Sequence, residues 1–332
     1  MPAKPKIFLT RPLFDPARLM LNDHFEVEYW TPPERISRDE LLSSVQGKEA
    51  LICLLTEKIN DELLAAAPKL RIVANVAVGF DNIDVPACTR KGVVVSNTPG
   101  VLDETTADFA WTLLMSVARR VVEGDSLARS GNWKGWDLDQ LCGTDVWGKT
   151  LGILGFGRIG RAVARRARGF KMRAIYHDAV RVAPEIEAEL GAQFAEFNQV
   201  LSESDFLSLH VPLLPETRHL ISSPQLARMK RGAFLINTSR GPVVDEAALV
   251  AALESGKLAG AAIDVFENEP YIHSGLRRPN VVLAPHIASA SLETRTKMAC
   301  IAAENVIALF QGRTPPNALN PEVLKSHGAS GS

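Results

Sequence analysis

The chain has little of what would point to a metal, a membrane or a nucleic acid. It carries four cysteines in 332 residues, Cys53, Cys88, Cys142 and Cys300, none at CxxC spacing. Neither a disulfide framework nor a zinc site can be read from that pattern, and no metal is expected. No stretch approaches the roughly 18 apolar residues of a membrane span. No long apolar run follows the basic residues near the start, so no signal peptide is expected and the cytoplasm is the expected compartment. Charge of one sign is missing too. Thirty-seven Lys and Arg stand against 38 Asp and Glu, a formal net charge of −1. That balance argues against nucleic acid or an anionic membrane as the main partner. Sequence repeats and low-complexity tracts are absent.

What is present suits a soluble globular protein: 46% hydrophobic and 23% charged residues, on a chain long enough for two domains. In the first hundred residues short apolar runs alternate with helical segments. Lys6–Thr10, Ala50–Leu55, Arg71–Val78 and Val93–Asn97 read as strands. Pro16–Asp23, Asp61–Ala67 and Ile83–Lys91 read as helices. Such alternation predicts a parallel sheet covered by helices on both faces. A long helix follows, with Asp103 as its expected N-cap and Phe109, Leu113, Leu114, Val117 and Val121 at helical spacing. Ser130–Lys149 is different. It holds three of the chain's five tryptophans, Trp133, Trp136 and Trp147, among glycines and polar residues. It reads as a loop or arm that packs either on a partner subunit or on its own domain.

A second series runs from Thr150 to Pro285. Six strands are expected, Leu151–Leu154, Met172–His177, Phe206–His210, Ala233–Asn237, Ala261–Val265 and Val281–Leu283, enough for a complete dinucleotide fold. The last helix, about Glu293–Phe310, has no strand of its own and is expected to cross back to the first domain. The expected fold class is therefore α/β, with two doubly wound parallel-sheet domains, a Rossmann cofactor domain and a flavodoxin-like substrate domain, and a cleft between them. The boundaries read as 1–100 with 288–332 for the substrate domain and 101–287 for the cofactor domain. Ser326–Ser332 reads as a frayed tail.

The turn Gly155-Phe156-Gly157-Arg158-Ile159-Gly160 sits between a strand and a helix. Gly155 permits the tight turn, Gly157 lets the backbone approach a pyrophosphate, and Gly160 lets the helix lie close to the sheet. The helix N-terminus then offers free N–H groups and a partial positive charge to phosphates. Asp178 ends the next strand, roughly 20 residues on, where a ribose-binding carboxylate belongs. A carboxylate there favours NAD and repels the 2′-phosphate of NADP; His177 and Arg181 are near enough in sequence to soften that preference.

Three further residues follow three predicted strands: Arg240 after Ala233–Asn237, Glu269 after Ala261–Val265, and His286 after Val281–Leu283. Each alone has a plain explanation, as a surface cation, a solvated loop acid like Glu267 nearby, or a core histidine. Together they fall at the carboxyl ends of strands, where open α/β sheets bind their ligands. A fixed cation, a carboxylate and an imidazole beside a dinucleotide turn suit one chemistry. The arginine grips a carboxylate, the histidine handles a proton, and the cofactor handles a hydride.

These stretches, with Ala74–Asp84, Asn97–Leu102, His210–Leu213, Asp264–Pro270 and Pro285–Ser289, resemble the D-isomer-specific 2-hydroxyacid dehydrogenases, and within them the glyoxylate/hydroxypyruvate reductases. The resemblance covers the chain from Lys6 to about Glu322. It implies that Arg240 binds the substrate carboxylate and carbonyl, that His286 is the acid–base residue, and that Glu269 hydrogen-bonds its imidazole. It implies that the backbone N–H groups of Val78 and Gly79 clasp the carboxylate. Thr106, Asp264 and Ala288 stand where the family contacts phosphates or nicotinamide, and Val211 and Pro212 stand near the ring. His210 and Thr238 lie in the same matching stretches and join the expected cofactor contacts. Ala288 replaces a glycine common in the last motif. Glu269 stands where formate dehydrogenases of the superfamily carry glutamine, and an ionisable group there favours a keto or hydroxy acid.

The implied reaction is reduction of a small 2-keto acid, glyoxylate or hydroxypyruvate, to the 2-hydroxy acid, with NADH or secondarily NADPH. Leu54 and Leu55, ending a strand beside the expected substrate, favour acids of two or three carbons, although packing is the better single explanation of both leucines. Trp136 resembles a position that, in some members of this branch, reaches a neighbouring subunit's active site, so a homodimer is expected. Two alternatives stay open. One keeps the fold with another substrate: 2-ketogluconate, D-lactate, phosphite or phosphohydroxypyruvate. The other is a non-enzymatic NAD-sensing regulator.

Overall fold

The structure is a computed structural model and describes residues 3–324. The tail Ser326–Ser332 lies outside the described residues. The chain divides into two compact units. One runs to Leu102 and takes up the chain again at Ser291; the other is Asp103–Ala290.

The first unit contains, in order, β1 (Lys6–Leu9), α1 (Asp15–His24), β2 (Glu26–Tyr29), α2 (Arg38–Ser44), β3 (Ala50–Cys53), α3 (Asp61–Ala66), β4 (Ile72–Asn75), α4 (Val85–Arg90) and β5 (Val94–Ser96). The second contains α5 (Asp103–Ala118), α6 (Val121–Arg129), β6 (Thr150–Leu154), α7 (Arg158–Ala167), β7 (Arg173–His177), α8 (Pro184–Leu190), β8 (Ala192–Phe194), α9 (Phe197–Glu203), β9 (Phe206–Leu209), α10 (Ser223–Arg228), β10 (Ala233–Asn237), α11 (Glu246–Glu254), β11 (Leu258–Ile263) and β12 (Val281–Leu283). The final helix, α12 (Leu292–Phe310), belongs to the first unit and packs on α1 and β4.

The first unit is a parallel five-stranded sheet in the order β2-β1-β3-β4-β5. β3, β4 and β5 are wholly buried because helices cover both faces, which is why they read as nearly unbroken apolar runs. Alternate residues still face opposite ways. Ile7, Leu9, Ile52, Ile72, Ala74 and Val94 meet α1 and α12, while Phe8, Leu51, Cys53, Val73 and Val95 meet the residues of α2, α3 and α4. Two elements escaped the sequence reading. β2 is one of the two edge strands, and its Glu-Val-Glu-Tyr is too polar to register as a strand. α2 opens on a capping box, Ser37 with Glu40, a signature that was legible in the sequence.

The second unit is a parallel seven-stranded sheet, β12-β11-β10-β9-β6-β7-β8. Six strands are where they were expected. The seventh, β8, has only three residues at the sheet edge. α5 and α7 pack on one face; α9, α10 and α11 pack on the other. The helix expected to run from Asp103 through Val121 is instead two. Arg120 takes a left-handed conformation at φ 53°, which ends α5 before α6 restarts at Val121. Its guanidinium pairs with Glu123, three residues on. Val121 is consequently 53% exposed rather than on the buried stripe. Asp103 is the first residue of α5, not its cap. Ser130–Lys149 forms neither helix nor strand. Among the described residues no helix is long and apolar enough to cross a membrane, and no cluster of His, Cys, Asp and Glu could hold a metal ion.

Candidate active site

The glycine turn divides its labour by position. Gly155 has φ +88°, and a Cβ there would stand 2.6 Å from the His210 carbonyl carbon and oxygen. It needs both the left-handed backbone and the close approach of the chain leaving β9. A Cβ on Gly160 would meet the Gly155 carbonyl at 2.1 Å, so α7 sits against the turn only because that residue has no side chain. A Cβ on Gly157 would meet nothing within 4 Å. The open face at the second glycine, at the start of the ten-residue α7, is where a pyrophosphate approaches in this class of turn. These residues fit a dinucleotide. Arg158 is exposed at the helix start and Ile159 is half-buried against the core.

Asp178 follows β7, and its Oδ2 accepts the Phe156 N–H at 2.5 Å. The carboxylate is thus held beside the turn. His177 is engaged elsewhere, with Nδ1 3.1 Å from the Ala195 carbonyl and its ring against Phe194 and Phe197. After β9, the His210 N–H donates to the Leu154 carbonyl, and its Nε2 lies 2.8 Å from Ser208 Oγ. Burial pushes the His210 imidazole down to about 4, so the ring is neutral near pH 7. Val211 and Pro212 continue this loop. The Pro212 carbonyl accepts the Thr217 hydroxyl. Thr106 is buried near the start of α5. Thr238, after β10, is also buried, and its Oγ1 has no hydrogen-bond partner among the described residues.

β10, β11 and β12 are neighbours in one parallel sheet, so the segments leaving them emerge side by side. Asn237, at the end of β10, is buried and shapes the turn to Arg240. Its amide nitrogen donates to the Arg240 carbonyl, and its oxygen accepts from the Ser239 N–H and hydroxyl. The half-buried Arg240 donates Nη1 to the Ser239 carbonyl. A Cβ on Gly241 would stand 1.9 Å from the Phe266 carbonyl carbon, so the arginine loop presses directly on the segment leading to Glu269.

Glu269 faces His286, with its two carboxylate oxygens 2.9 and 3.1 Å from the imidazole Nδ1. The Phe266 N–H donates to the same carboxylate. Burial works against ionisation of Glu269. The hydrogen bond and charge of His286, the Phe266 N–H and the Arg240 charge outweigh it, and the carboxyl sits below its usual range. His286 itself is left-handed at φ 57°, which costs a non-glycine residue about 1–2 kcal/mol. Asp264 holds it there. The Asp264 carbonyl accepts the His286 N–H, and its fully buried carboxylate accepts the N–H groups of Ile287 and Ala288 at 2.8 and 2.9 Å. Burial nevertheless raises the Asp264 carboxyl above the usual range.

Glu267 is not the solvated loop acid it was expected to be. It pairs with His219 and exchanges backbone caps with the buried Glu246: each carboxylate accepts the other's N–H. This clamp ties the start of α11 to the segment carrying Glu269. What Glu267 does is visible only in three dimensions, since its partners His219 and Glu246 are distant in sequence.

In the first unit, Val78 and Gly79 leave β4 in a loop fixed by three asparagines. Asn97 donates to the Val78 carbonyl at 2.8 Å, and Asn75 donates to the Gly79 carbonyl at 2.9 Å. A trans peptide points its N–H opposite to its carbonyl, so the Gly79 N–H points away from Asn97. Asn82 donates to the carbonyls of Leu54 and Glu57, and the Leu54 N–H donates to the Glu57 carboxylate. The half-buried Leu54 is thereby tied to the same network. The sequence reading assigned these asparagines no role, although polar residues ending buried strands were the available signal. Trp136 lies on the Ser130–Lys149 segment and is 82% exposed.

Residues 111–288 match the family described as D-isomer specific 2-hydroxyacid dehydrogenase, NAD binding domain. The chain is 53% identical to the glyoxylate reductase of Korarchaeum cryptofilum over 325 residues, 97% of this chain and 98% of that one. Among solved structures it is similar to the TT0316 protein of Thermus thermophilus, with TM-score 0.87 and 42% identity over 95% of this chain and 99% of the other. It is also similar to an NADPH-dependent glyoxylate/hydroxypyruvate reductase from Sinorhizobium meliloti in complex with NADP and malonate. There the TM-score is 0.83 and the identity 32%, over 96% and 98% of the two chains. The chain belongs to the D-isomer specific 2-hydroxyacid dehydrogenase family. It is an enzyme of that family, and its nicotinamide-cofactor domain is the unit built on the glycine turn.

Proposed function

We propose that the chain reduces glyoxylate or hydroxypyruvate with NADH, using Arg240, Glu269 and His286. The observation that carries this reading is the His286–Glu269 pair beside the Arg240 loop, at the ends of three adjacent strands. The names of the relatives support the substrate class.

Arg240 grips the substrate carboxylate with a rigid fork that lysine lacks. The family resemblance assigns the backbone N–H groups of Val78 and Gly79 to the same carboxylate. Glu269 occupies the Nδ1 side of His286, leaving Nε2 to face the substrate carbonyl. As imidazolium, His286 stabilises the charge that develops on the carbonyl oxygen and then delivers a proton to it. The ionised Glu269 favours that charged ring. The bound nicotinamide supplies the hydride. Gly155–Gly160 and Asp178 hold the dinucleotide, with Thr106, His210, Val211, Pro212, Thr238, Asp264 and Ala288 lining the rest of its path. The neutral ring of His210 suits a contact to an uncharged amide or ribose rather than to a phosphate.

The protein acts as a homodimer in the cytoplasm, with the Ser130–Lys149 arm in the contact. Support comes from the arm's exposed apolar load: Trp133, Trp136, Leu138 and Trp147 are all more than half exposed.

The test is steady-state oxidation of NADH against a panel of 2-keto acids. The reading expects glyoxylate and hydroxypyruvate to give the highest kcat/KM. A better turnover of pyruvate or 2-ketogluconate would move the substrate, and no turnover of either glyoxylate or hydroxypyruvate would defeat the reading.

A further inference from the structure

Arg181 stands three residues beyond Asp178, on the loop that leaves β7. In dinucleotide folds an arginine near this position can accommodate the 2′-phosphate of NADP, while the acid binds the free ribose hydroxyls. Here the arginine is already engaged. Its Nε donates to Glu187 Oε1 at 2.9 Å and its Nη2 donates to Glu187 Oε2 at 2.8 Å, a two-pronged pair. The guanidinium also lies 5.6 Å from the centroid of the Phe194 ring. Glu187 is anchored from the other side, since the hydroxyl of the fully buried Tyr176 donates to its Oε1 at 2.8 Å. The Val182 N–H in turn donates to that hydroxyl. The Glu187 side chain is only 13% exposed, against 58% for Arg181. The anion is therefore the fixed member and the cation the one it captures.

We infer that Glu187 is a specificity residue: by holding Arg181 against α8 it withholds the cation that a 2′-phosphate requires, and so adds to the discrimination against NADP made by Asp178. Two features make the capture firm. The pair is bidentate, which orders both side chains. The Glu187 carboxyl, moreover, is held down at about 2 by Arg181 first and Tyr176 second, so it stays ionised at any working pH. His177 cannot substitute for the arginine, because its ring is committed to the Ala195 carbonyl. The two acids act differently. Asp178 repels the phosphate directly, whereas Glu187 removes its partner. Relaxed cofactor choice is thus latent in this chain, one charge away.

The inference rests on the reading of Asp178 as the ribose-binding carboxylate, and the experiment separates the two. Binding of NADH and NADPH is measured by isothermal titration calorimetry, beside kcat/KM for each cofactor with glyoxylate, in wild type, Glu187→Gln, Arg181→Ala, the double variant and Asp178→Ser. Glu187→Gln keeps an oxygen for the Tyr176 hydroxyl and removes only the charge. It should tighten NADPH by roughly tenfold, the lower end of a charge-assisted bond, and leave NADH within about twofold. Arg181→Ala alone should change little, because the arginine is not offered to the cofactor. The double variant should lose the whole gain. An unchanged NADPH affinity in Glu187→Gln, or a gain that survives in the double variant, overturns the capture. If Asp178→Ser leaves NADH binding unaltered, the ribose reading fails on its own, whatever Glu187→Gln does.

Discussion

At the scale of single residues, the proposed chemistry rests on one arginine and one histidine–carboxylate pair. Arg240→Lys keeps the charge but loses the fork. It should lower kcat/KM for glyoxylate by roughly 10–100-fold, the scale of one charge-assisted hydrogen bond, with NADH affinity little changed. Equal losses in both would make Arg240 a cofactor or structural residue. His286→Ala should cost roughly 100-fold or more in kcat, as expected for a positioned acid. Glu269→Gln should retain more activity and move the pH–rate profile toward acid. The sign follows from the carboxyl's environment. Its pKa lies below the usual carboxylate range, so Glu269 is ionised across neutral pH and presents its charge to the ring. That support is lost only as pH falls through the lowered value, far from the working range. Removing the charge leaves the imidazolium without its ionic partner, and the fall in rate on the alkaline side should begin at lower pH. A profile that does not move takes Glu269 out of the proton path.

At the scale of elements, the glycine turn shows what a sequence reveals and what it hides. The structural places of Gly155 and Gly160 were legible because each follows from where a Cβ would go, once the strand before the turn and the helix after it are read with the spacing. Their partners were not legible. Nothing in the sequence says that the His210 backbone closes on Gly155, since the two are brought together by β6 pairing with β9. The same holds for Asp264. Its place in a motif marked it as a cofactor contact, but its carboxylate is spent on the His286 loop, a pairing that depends on β11 lying beside β12. Two of the four edge strands failed for the opposite reason: β2 and β8 bury too little to leave an apolar pattern. These contacts give a prediction. Gly155→Ala should cost about 1–2 kcal/mol from its left-handed backbone alone, and more from the approach of His210. It should therefore lower Tm and weaken NADH binding together. A variant that loses neither would show that the turn relaxes freely and that its geometry does not hold the dinucleotide.

At the scale of the whole molecule, the fold class and the family followed from the alternation of strands and helices and from motifs spread along the chain. The oligomeric state rests on one segment. The Ser130–Lys149 arm is pinned at its far end: Val146 is buried, the Gly148 N–H donates to the Phe170 carbonyl, and Lys171 lies over the Trp147 ring. That much satisfies the reading in which tryptophans fix a loop to its own domain. The middle of the arm does not. The Trp133 indole N–H donates to Gln140 within the arm and the residue is 56% exposed, while Trp136 is 82% and Leu138 79% exposed. Val121 and Val122 at the start of α6 are also about half exposed. Burying large side chains of this kind contributes roughly 1.5–3 kcal/mol each, and aromatic residues concentrate in interface cores. A second copy of the chain is the proposed cover. Sedimentation equilibrium at micromolar concentration should give a dimer for the wild type, and Trp136→Ser with Leu138→Ser should shift it toward monomer without lowering the monomer's Tm. Because Trp136 is also proposed to border the partner's active site, the same variant should change KM for hydroxypyruvate more than for glyoxylate, since the larger acid meets the boundary first. A fully active wild-type monomer would defeat the dimer and the role of Trp136 at once. A dimer untouched by the double substitution would keep the assembly but move its contact away from the arm.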